Sequence, residues 1–460
     1  MNQQPIVARH HGDTDGPVEK SSGTHLAARD GGDDVVVVVD DVDKFVRHPP
    51  RSTIRPMELD TLRDGAHDLL SDMVSLRRTL HQWPEIGNDL PITRDTVLEA
   101  LDGLPVDITL HETTSGIAAL LDGGKPGPTV LLRGDMDALP LHEDTGLDFE
   151  SRSEGSMHAC GHDTHTSMLV GAARLLSAKQ SDIAGRVLFM FQPGEEGNHG
   201  ARFMLEEGLL DLPKRADGSD SPVTGAFALH ITSSLPTGWL SCRGGSIMAA
   251  ADTVFITVKG RGGHASEPYR ALDPIPIACE IVQALQTMVT RRIDVFDPAV
   301  VTIGKITAGT VNNIIPETAE IAGTIRTVSE STRRRVHDGI RRVADGIAAA
   351  HDAEVTVNVV DGYPVTVNDA AQADRVLGLA GDLVGGDKVV KLPNPIMGAE
   401  DFSYVLQQIP GAMVFLGGTP TDRNLATAAP NHSNRVVFDE EAMVTGTAMY
   451  AALALDHLGA

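Results

Sequence analysis

Aromatic residues are scarce in this chain. Two tryptophans, four tyrosines and eleven phenylalanines stand among 460 residues, so the core must be mostly aliphatic. Cysteine is scarcer still. Cys160, Cys242 and Cys279 are an odd, sparse set that excludes a disulfide framework and points to a reducing compartment. A cytoplasmic protein is expected, with Cys242 and Cys279 as small buried apolar residues. Basic residues are outnumbered, 38 against 63 acidic ones, and the formal net charge is -25. That excess argues against nucleic acid and against an anionic membrane surface as partners. No apolar run approaches the ~18 residues that span a membrane. The first residues have no basic segment leading into an apolar core, so no secretory signal is expected.

What is present is enough chain for two domains with ample core. Residues 1–56 hold little that could pack and are expected to be a disordered extension. Its one apolar tract, Val35 to Val39, is fenced by aspartates. From Met57 the pattern changes. Leu59, Leu62, Ala66, Leu69, Met73, Leu76 and Leu80 repeat at helical steps, which predicts one helix ending before Pro84. A short helix over Thr93 to Leu101 and strands over Ile117–Leu121 and Thr129–Leu132 follow.

The densest chemistry lies in Met157-His158-Ala159-Cys160-Gly161-His162-Asp163-Thr164-His165-Thr166. The apolar run after it has helical spacing, so this is a loop that opens a helix. Thiolate and imidazole at one loop suit zinc or another late divalent metal, although the spacing matches no structural zinc finger. His165 reads as a more distant supporting group. Upstream, Asp135 and Asp137 stand two apart at a strand end, placed for metal or supporting work. Downstream, the buried strand Arg186 to Gln192 runs into Gly194-Glu195-Glu196-Gly197. Adjacent residues at a strand terminus point different ways, so one glutamate can bind a metal while its neighbour serves as a base. The strand Gly225 to Leu229 is expected to deliver His230 at its end. Open α/β sheets place their sites at such strand ends.

Residues 252–360 read in the order strand, helix, two strands, helix, strand, with the second helix capped by Ser331. This predicts an inserted ferredoxin-like (βαββαβ) domain over 248–364. The segments 57–247 and 365–460 then complete a larger α/β domain, a mixed central sheet flanked by helices. The last section carries Glu400-Asp401, read as an orienting pair rather than as ligands, and Asn431-His432-Ser433.

In order, the blocks Arg133–Pro140, His158–Asp163, Gln192–Glu196, Gly262–Ser266, Gly323–Thr327 and Gly398–Phe402 resemble those of the N-acyl-amino-acid amidohydrolases. These belong to the aminoacylase and carboxypeptidase superfamily of dinuclear metallopeptidases. The similarity is to the branch with hippurate hydrolases, auxin-conjugate hydrolases and N-acetyldiaminopimelate deacetylases, and it spans about residues 57–458. The resemblance implies two divalent ions, zinc, manganese, cobalt or nickel, on Cys160, His162, Glu196, His230 and His432. It implies Glu195 as general base on the activated water, and Asp137 orienting a ligand. Sibling branches carry a histidine ligand in the block where this chain has Asp135. It further implies a homodimer or higher homo-oligomer whose inserted domain, the lid, serves substrate binding and dimerisation. Closure of the two domains is expected because the candidate carboxylate binders and the metal ligands lie on different ones. His264 would then reach a neighbouring subunit's site and stabilise the oxyanion. Asn313 and Arg326 would hold the substrate carboxylate. Tyr269 departs from the pattern, standing where many relatives have histidine.

The expected reaction is cleavage of an acetyl-, benzoyl- or indoleacetyl-type N-acyl amino acid to a carboxylate and a free amino acid. A dipeptidase or N-carbamoyl-amino-acid hydrolase using the same site is the enzymatic alternative. An inactive metal-binding scaffold is the alternative of a different class.

Overall fold

The structure, a computed structural model, describes Ile54 and residues 56–459. The valine tract and nearly all of the N-terminal extension lie outside the described residues.

An eight-stranded mixed sheet carries the larger part of the fold. Its strands, in spatial order, are Val106–Leu110, Ile117–Asp122, Ala184–Gln192, Lys125–Asp135, Val223–Pro236, Gly411–Thr419, Leu240–Cys242 and Val389–Lys391. The central strands run parallel: Lys125–Asp135 pairs in parallel with both Ala184–Gln192 and Val223–Pro236. Their near-continuous apolar sequences reflect burial on both faces. Alternation still sorts the side chains. Val130 and Leu132 join one core cluster, and Leu131 between them joins the other.

Helices His162–Ser177 and Ala442–Leu458 cover the first face. The single N-terminal helix expected from periodicity is interrupted at Leu69, giving Pro56–Asp68 and Leu70–Gln82. The second segment buries Arg77 and His81 as well as Met73 and Leu80, so its inward face is polar as well as apolar.

Two further expectations need correction. The strand expected to stop at Leu229 continues to Pro236, so His230 lies within it. The neighbour Lys125–Asp135 pairs with it only as far as Ala228, whereas Gly411–Thr419 goes on pairing beyond His230. Continued backbone pairing on one side keeps the strand extended while its other edge opens. Cys279, expected to be buried, is exposed, whereas Cys242 is buried. The helix Pro274–Arg292 turns Ile277, Ala278, Ile281 and Leu285 inward, and Cys279 sits just off that stripe.

A second, four-stranded antiparallel sheet has the order Ala299–Ala308, Thr318–Thr327, Ala250–Lys259, Glu354–Val360. Helices Pro274–Arg292 and Glu330–Ala350 cover one of its faces, packing on Val254, Ile256 and Val258. The order of elements is that of the ferredoxin-like fold. The cap of the second helix is Ser329, whose backbone is extended and whose hydroxyl accepts from Thr332 N–H. Ser331 falls inside the first turn. Among the described residues no helix is long and apolar enough to cross a membrane.

Candidate active site

The loop His158–Asp163 turns on Gly161. Its φ is 90°, and a Cβ there would lie 2.4 Å from Ile231 Cγ2. Only glycine permits both the left-handed backbone and the close approach. The turn brings Cys160 and His162 into one buried space, and His162 opens the helix His162–Ser177. His162 Nδ1 lies 2.8 Å from the Asp137 carbonyl, which fixes Nδ1 as the donor. Its Nε2 is buried, has no hydrogen bond among the described residues and lies 3.4 Å from Asp135 Oδ2. His230 is held likewise, with Nδ1 donating to Ile231 O at 2.7 Å and Nε2 lying 3.3 Å from Cys160 Sγ. His432 Nε2 is also 3.3 Å from Cys160 Sγ, and 3.2 Å from Glu196 Oε1. His432 has φ 69°, a strained value for a residue with a Cβ. Its N–H donates to Ala159 O, which ties it to the loop.

These atoms form overlapping triplets. The donor atoms of Cys160, His162 and His230 lie within 4.8 Å of one another, as do those of Cys160, Glu196 and His432. One thiolate common to two sets of imidazole and carboxylate donors suits a pair of late divalent cations. His162 Nε2, buried without a hydrogen bond among the described residues, fits this reading, because a buried imidazole nitrogen lacking one is costly. All five residues expected to be ligands are thus brought together.

Glu195 and Glu196 follow the strand Ala184–Gln192, and Asp137 holds them both. Its two oxygens accept the N–H groups of Glu195 and Glu196 at 2.9 and 3.0 Å. Burial pushes the Glu195 carboxyl well up, and Glu400, Glu196 and Asp401 push it the same way. Burial also raises the Cys160 thiol. A divalent cation held beside these groups would invert that balance and favour thiolate and carboxylate.

Beneath the cluster lies Arg133, fully buried. Its guanidinium donates to Gln192 Oε1 at 2.8 Å, Asp135 Oδ2 at 2.6 Å, Glu400 Oε1 at 2.8 Å and Asp401 Oδ1 at 3.3 Å. Glu400 and Asp401 are therefore engaged by Arg133, in keeping with an orienting pair. Asp135 also accepts from His165 Nδ1 at 2.5 Å, and His165 Nε2 accepts from Ile231 N–H at 2.7 Å. His165 thereby fixes the peptide that follows His230.

A hollow of about 640 Å³ opens over the cluster. Glu195, Arg326 and Tyr363 line it together with apolar Met248, Ile396 and Phe415. The Arg326 guanidinium makes no hydrogen bond or ion pair among the described residues. His264 and Asn313 lie elsewhere, lining a separate hollow of about 580 Å³. Within one chain, Arg326 joins the cluster and Asn313 does not. His264 is exposed, and its Nδ1 accepts from Ser266 N–H at 3.1 Å. Sequence reasoning gave no role to Arg133, Tyr363 or Asn431. Asn431 Oδ1 accepts from Ser233 N–H, and its Nδ2 reaches Cys160 O at 3.3 Å. His199 is half-buried against Tyr363 and Tyr404.

A mixed sheet whose strand ends converge on buried thiol, imidazole and carboxylate donors, with a buried glutamate beside them, is the site of a metal-dependent hydrolase of amide bonds. Residues 131–456 match the model of peptidase family M20/M25/M40, and the chain belongs to that family. It is 37% identical to thermostable carboxypeptidase 1 of Saccharolobus solfataricus, over 86% of this chain and 98% of the relative. It is 35% identical to N-acetylcysteine deacetylase of Bacillus subtilis, over 83% and 96%. Among solved structures it resembles the Bacillus subtilis YXEP protein, described as a dinuclear metal-binding peptidase of the M20 family. The TM-score is 0.72 at 32% identity, covering 85% of this chain and 99% of the other.

Proposed function

We propose that the protein hydrolyses N-acyl amino acids, adding water across the amide to release a carboxylic acid and a free amino acid. The observation that carries this reading is the unpaired Arg326 guanidinium facing the same hollow as buried Glu195 and the ligand cluster. A planar guanidinium binds a carboxylate through two oxygens at once, so it suits a substrate with a free α-carboxylate.

Two divalent ions would be held by Cys160, His162 and His230 on one side and by Cys160, Glu196 and His432 on the other. Zinc, manganese, cobalt and nickel all suit this mixed set. When bound they supply Lewis acidity and acidify a water. Glu195 takes the proton of the attacking water and delivers it to the leaving nitrogen. Asp137 keeps the Glu195 peptide in place for that transfer. Arg326 holds the substrate carboxylate and so positions the amide.

His264 and Asn313, remote from their own chain's cluster, act on the site of a second copy in a homodimer. There His264 donates to the developing oxyanion, and Asn313 assists with the substrate carboxylate. The three unbridged cysteines favour a cytoplasmic enzyme. The lid domain takes residues 248–364 and the metal-binding domain 57–247 and 365–460.

A carboxypeptidase or dipeptidase using this same site is the second reading, supported by the name of the Saccharolobus relative. Protein loaded with zinc, manganese or cobalt should be offered acetyl-, benzoyl- and indoleacetyl-amino acids, carbamoyl-amino acids and dipeptides. Release of free amino acid from an N-acyl class, lost by orders of magnitude in Glu195→Gln with metal retained, is the expected result. Turnover confined to dipeptides or carbamoyl compounds would transfer the assignment. A Glu195→Gln variant as active as the parent would remove Glu195 from the mechanism.

A further inference from the structure

Tyr363 stands on the connection by which the chain leaves the four-stranded sheet, and it touches both halves of the site. Its main chain is hydrogen-bonded to that sheet. Tyr363 O accepts the Ala251 N–H at 3.0 Å. Ala251 is in cross-strand register with Arg326. The preceding Gly362 donates its N–H to Asp252 Oδ1 at 2.9 Å. Asp252 is itself gripped by Arg333 at 2.6 Å and by His337 at 2.7 Å. A Cβ at Gly362 would lie 2.0 Å from Ala251 O, so the crossing is as tight as backbone allows. The exit segment is therefore tied firmly to the strands that present Arg326.

The side chain of Tyr363 goes the other way. Its buried hydroxyl donates to the Glu195 carbonyl at 2.5 Å and accepts the His199 N–H at 3.3 Å. The ring packs edge-on against His199, with centroids 4.9 Å apart. Glu195 is thus held through its N–H by Asp137 and through its C=O by Tyr363. Burial pushes the phenol up, so the hydroxyl remains a donor. Its proton is committed to the Glu195 carbonyl, which leaves none for the substrate.

Resting on the hydrolase reading above, we propose that Tyr363 is a positioning residue that sets Glu195 and Arg326 relative to each other. Through it, the strands that present Arg326 to the substrate carboxylate also align the base that serves the scissile amide. Remote binding at Arg326 then contributes to rate as well as to affinity.

The test compares metal-loaded wild type with Tyr363→Phe, Arg326→Met and the double variant, on an N-acyl amino acid that the wild type hydrolyses. Removing one oxygen from Tyr363 should lower kcat roughly 10- to 100-fold, because a small displacement of a reacting group has large effects. Metal content and Tm should stay at the wild-type values. Backbone hydrogen exchange in residues 193–199 should quicken. The Arg326→Met loss in kcat should be smaller in the Tyr363→Phe background than in the wild type, since the two act as one unit. A Tyr363→Phe kcat within about twofold of wild type overturns the proposal, as does strict multiplication of the two effects. If the wild type hydrolyses nothing offered, the hydrolase reading fails instead. Hydrogen exchange then decides for Tyr363: an unchanged rate over 193–199 rejects it, and a faster rate at unaltered Tm supports it.

Discussion

Asp137 Oδ1 accepts the N–H of Glu195 at 2.9 Å, so a carboxylate at the end of one strand positions the carboxylate beyond the next. Asp137→Asn keeps the shape but turns an amide group toward one of the two N–H donors. Loss of such a supporting partner typically costs ~10- to 100-fold in metal affinity or activity. The expected outcome is a fall in kcat of that size, read by steady-state kinetics at saturating metal. Full activity would show that the Glu195 loop holds itself.

The shared position of Cys160 predicts a pattern of metal loss. Cys160→Ala should remove both ions. His230→Ala and His432→Ala should each weaken one ion while leaving the other bound. Elemental analysis after dialysis against a weak chelator reads the stoichiometry directly. Equal losses in all three variants would mean that the triplets do not behave as two sites.

Arg133 faces Asp135, Glu400 and Asp401 in a space closed to water. Arg133→Met would leave three buried carboxylates without their cation. Breaking buried charge pairs in this way costs about 3–5 kcal/mol. Urea denaturation should show a loss of that order. A variant as stable as the parent would mean that water or protons replace the arginine at little cost.

His81 sets a pH dependence of stability. Burial alone would push its imidazole down, but hydrogen bonds to Asp163 and Glu143 outweigh this and raise it to about 9. Its Nδ1 lies 2.9 Å from Asp163 and its Nε2 3.1 Å from Glu143. A folded value above the unfolded 6.5 means that the protonated form stabilises the fold. That contribution is complete below about pH 6.5 and is lost as pH rises through about 9. The difference of 2.5 between 9 and 6.5 corresponds to something on the order of 3 kcal/mol. Denaturation of wild type and His81→Gln should therefore differ most at pH 6 and converge near pH 10. A constant difference would assign His81 a packing role only.

Much of the fold was legible along the chain. Val187 to Phe191 reads as a buried strand because a strand covered on both faces needs apolar residues throughout. The four-stranded sheet and its two helices follow from periodicity that changes between two and 3.6. The edge strand Val106–Leu110 alternates apolar and polar residues and was still missed. Its alternation is not matched by burial, since Ile108 and Leu110 are 40% and 46% exposed. The end of the strand bearing His230 was misplaced because strand length depends on its neighbours. Residues 231–236 pair with Gly411–Thr419, nearly two hundred positions away.

The sequence by itself determined which chemistry was available. Cysteine, histidine and paired glutamates beside glycines are donors wherever they stand, because ligand character belongs to the residue type. Short-range spacing also determined the loop that opens a helix, since a helix start is a local event. Only the tertiary structure decided which donors meet. Cys160 and His432 are separated by 272 positions and lie 3.3 Å apart. Tyr363 grips the Glu195 carbonyl across 168. Asn313 and Arg326, only 13 apart in sequence by subtraction, line different hollows. Sheet order and register set these distances, and both arise from burying apolar faces over the whole chain, which no local pattern encodes.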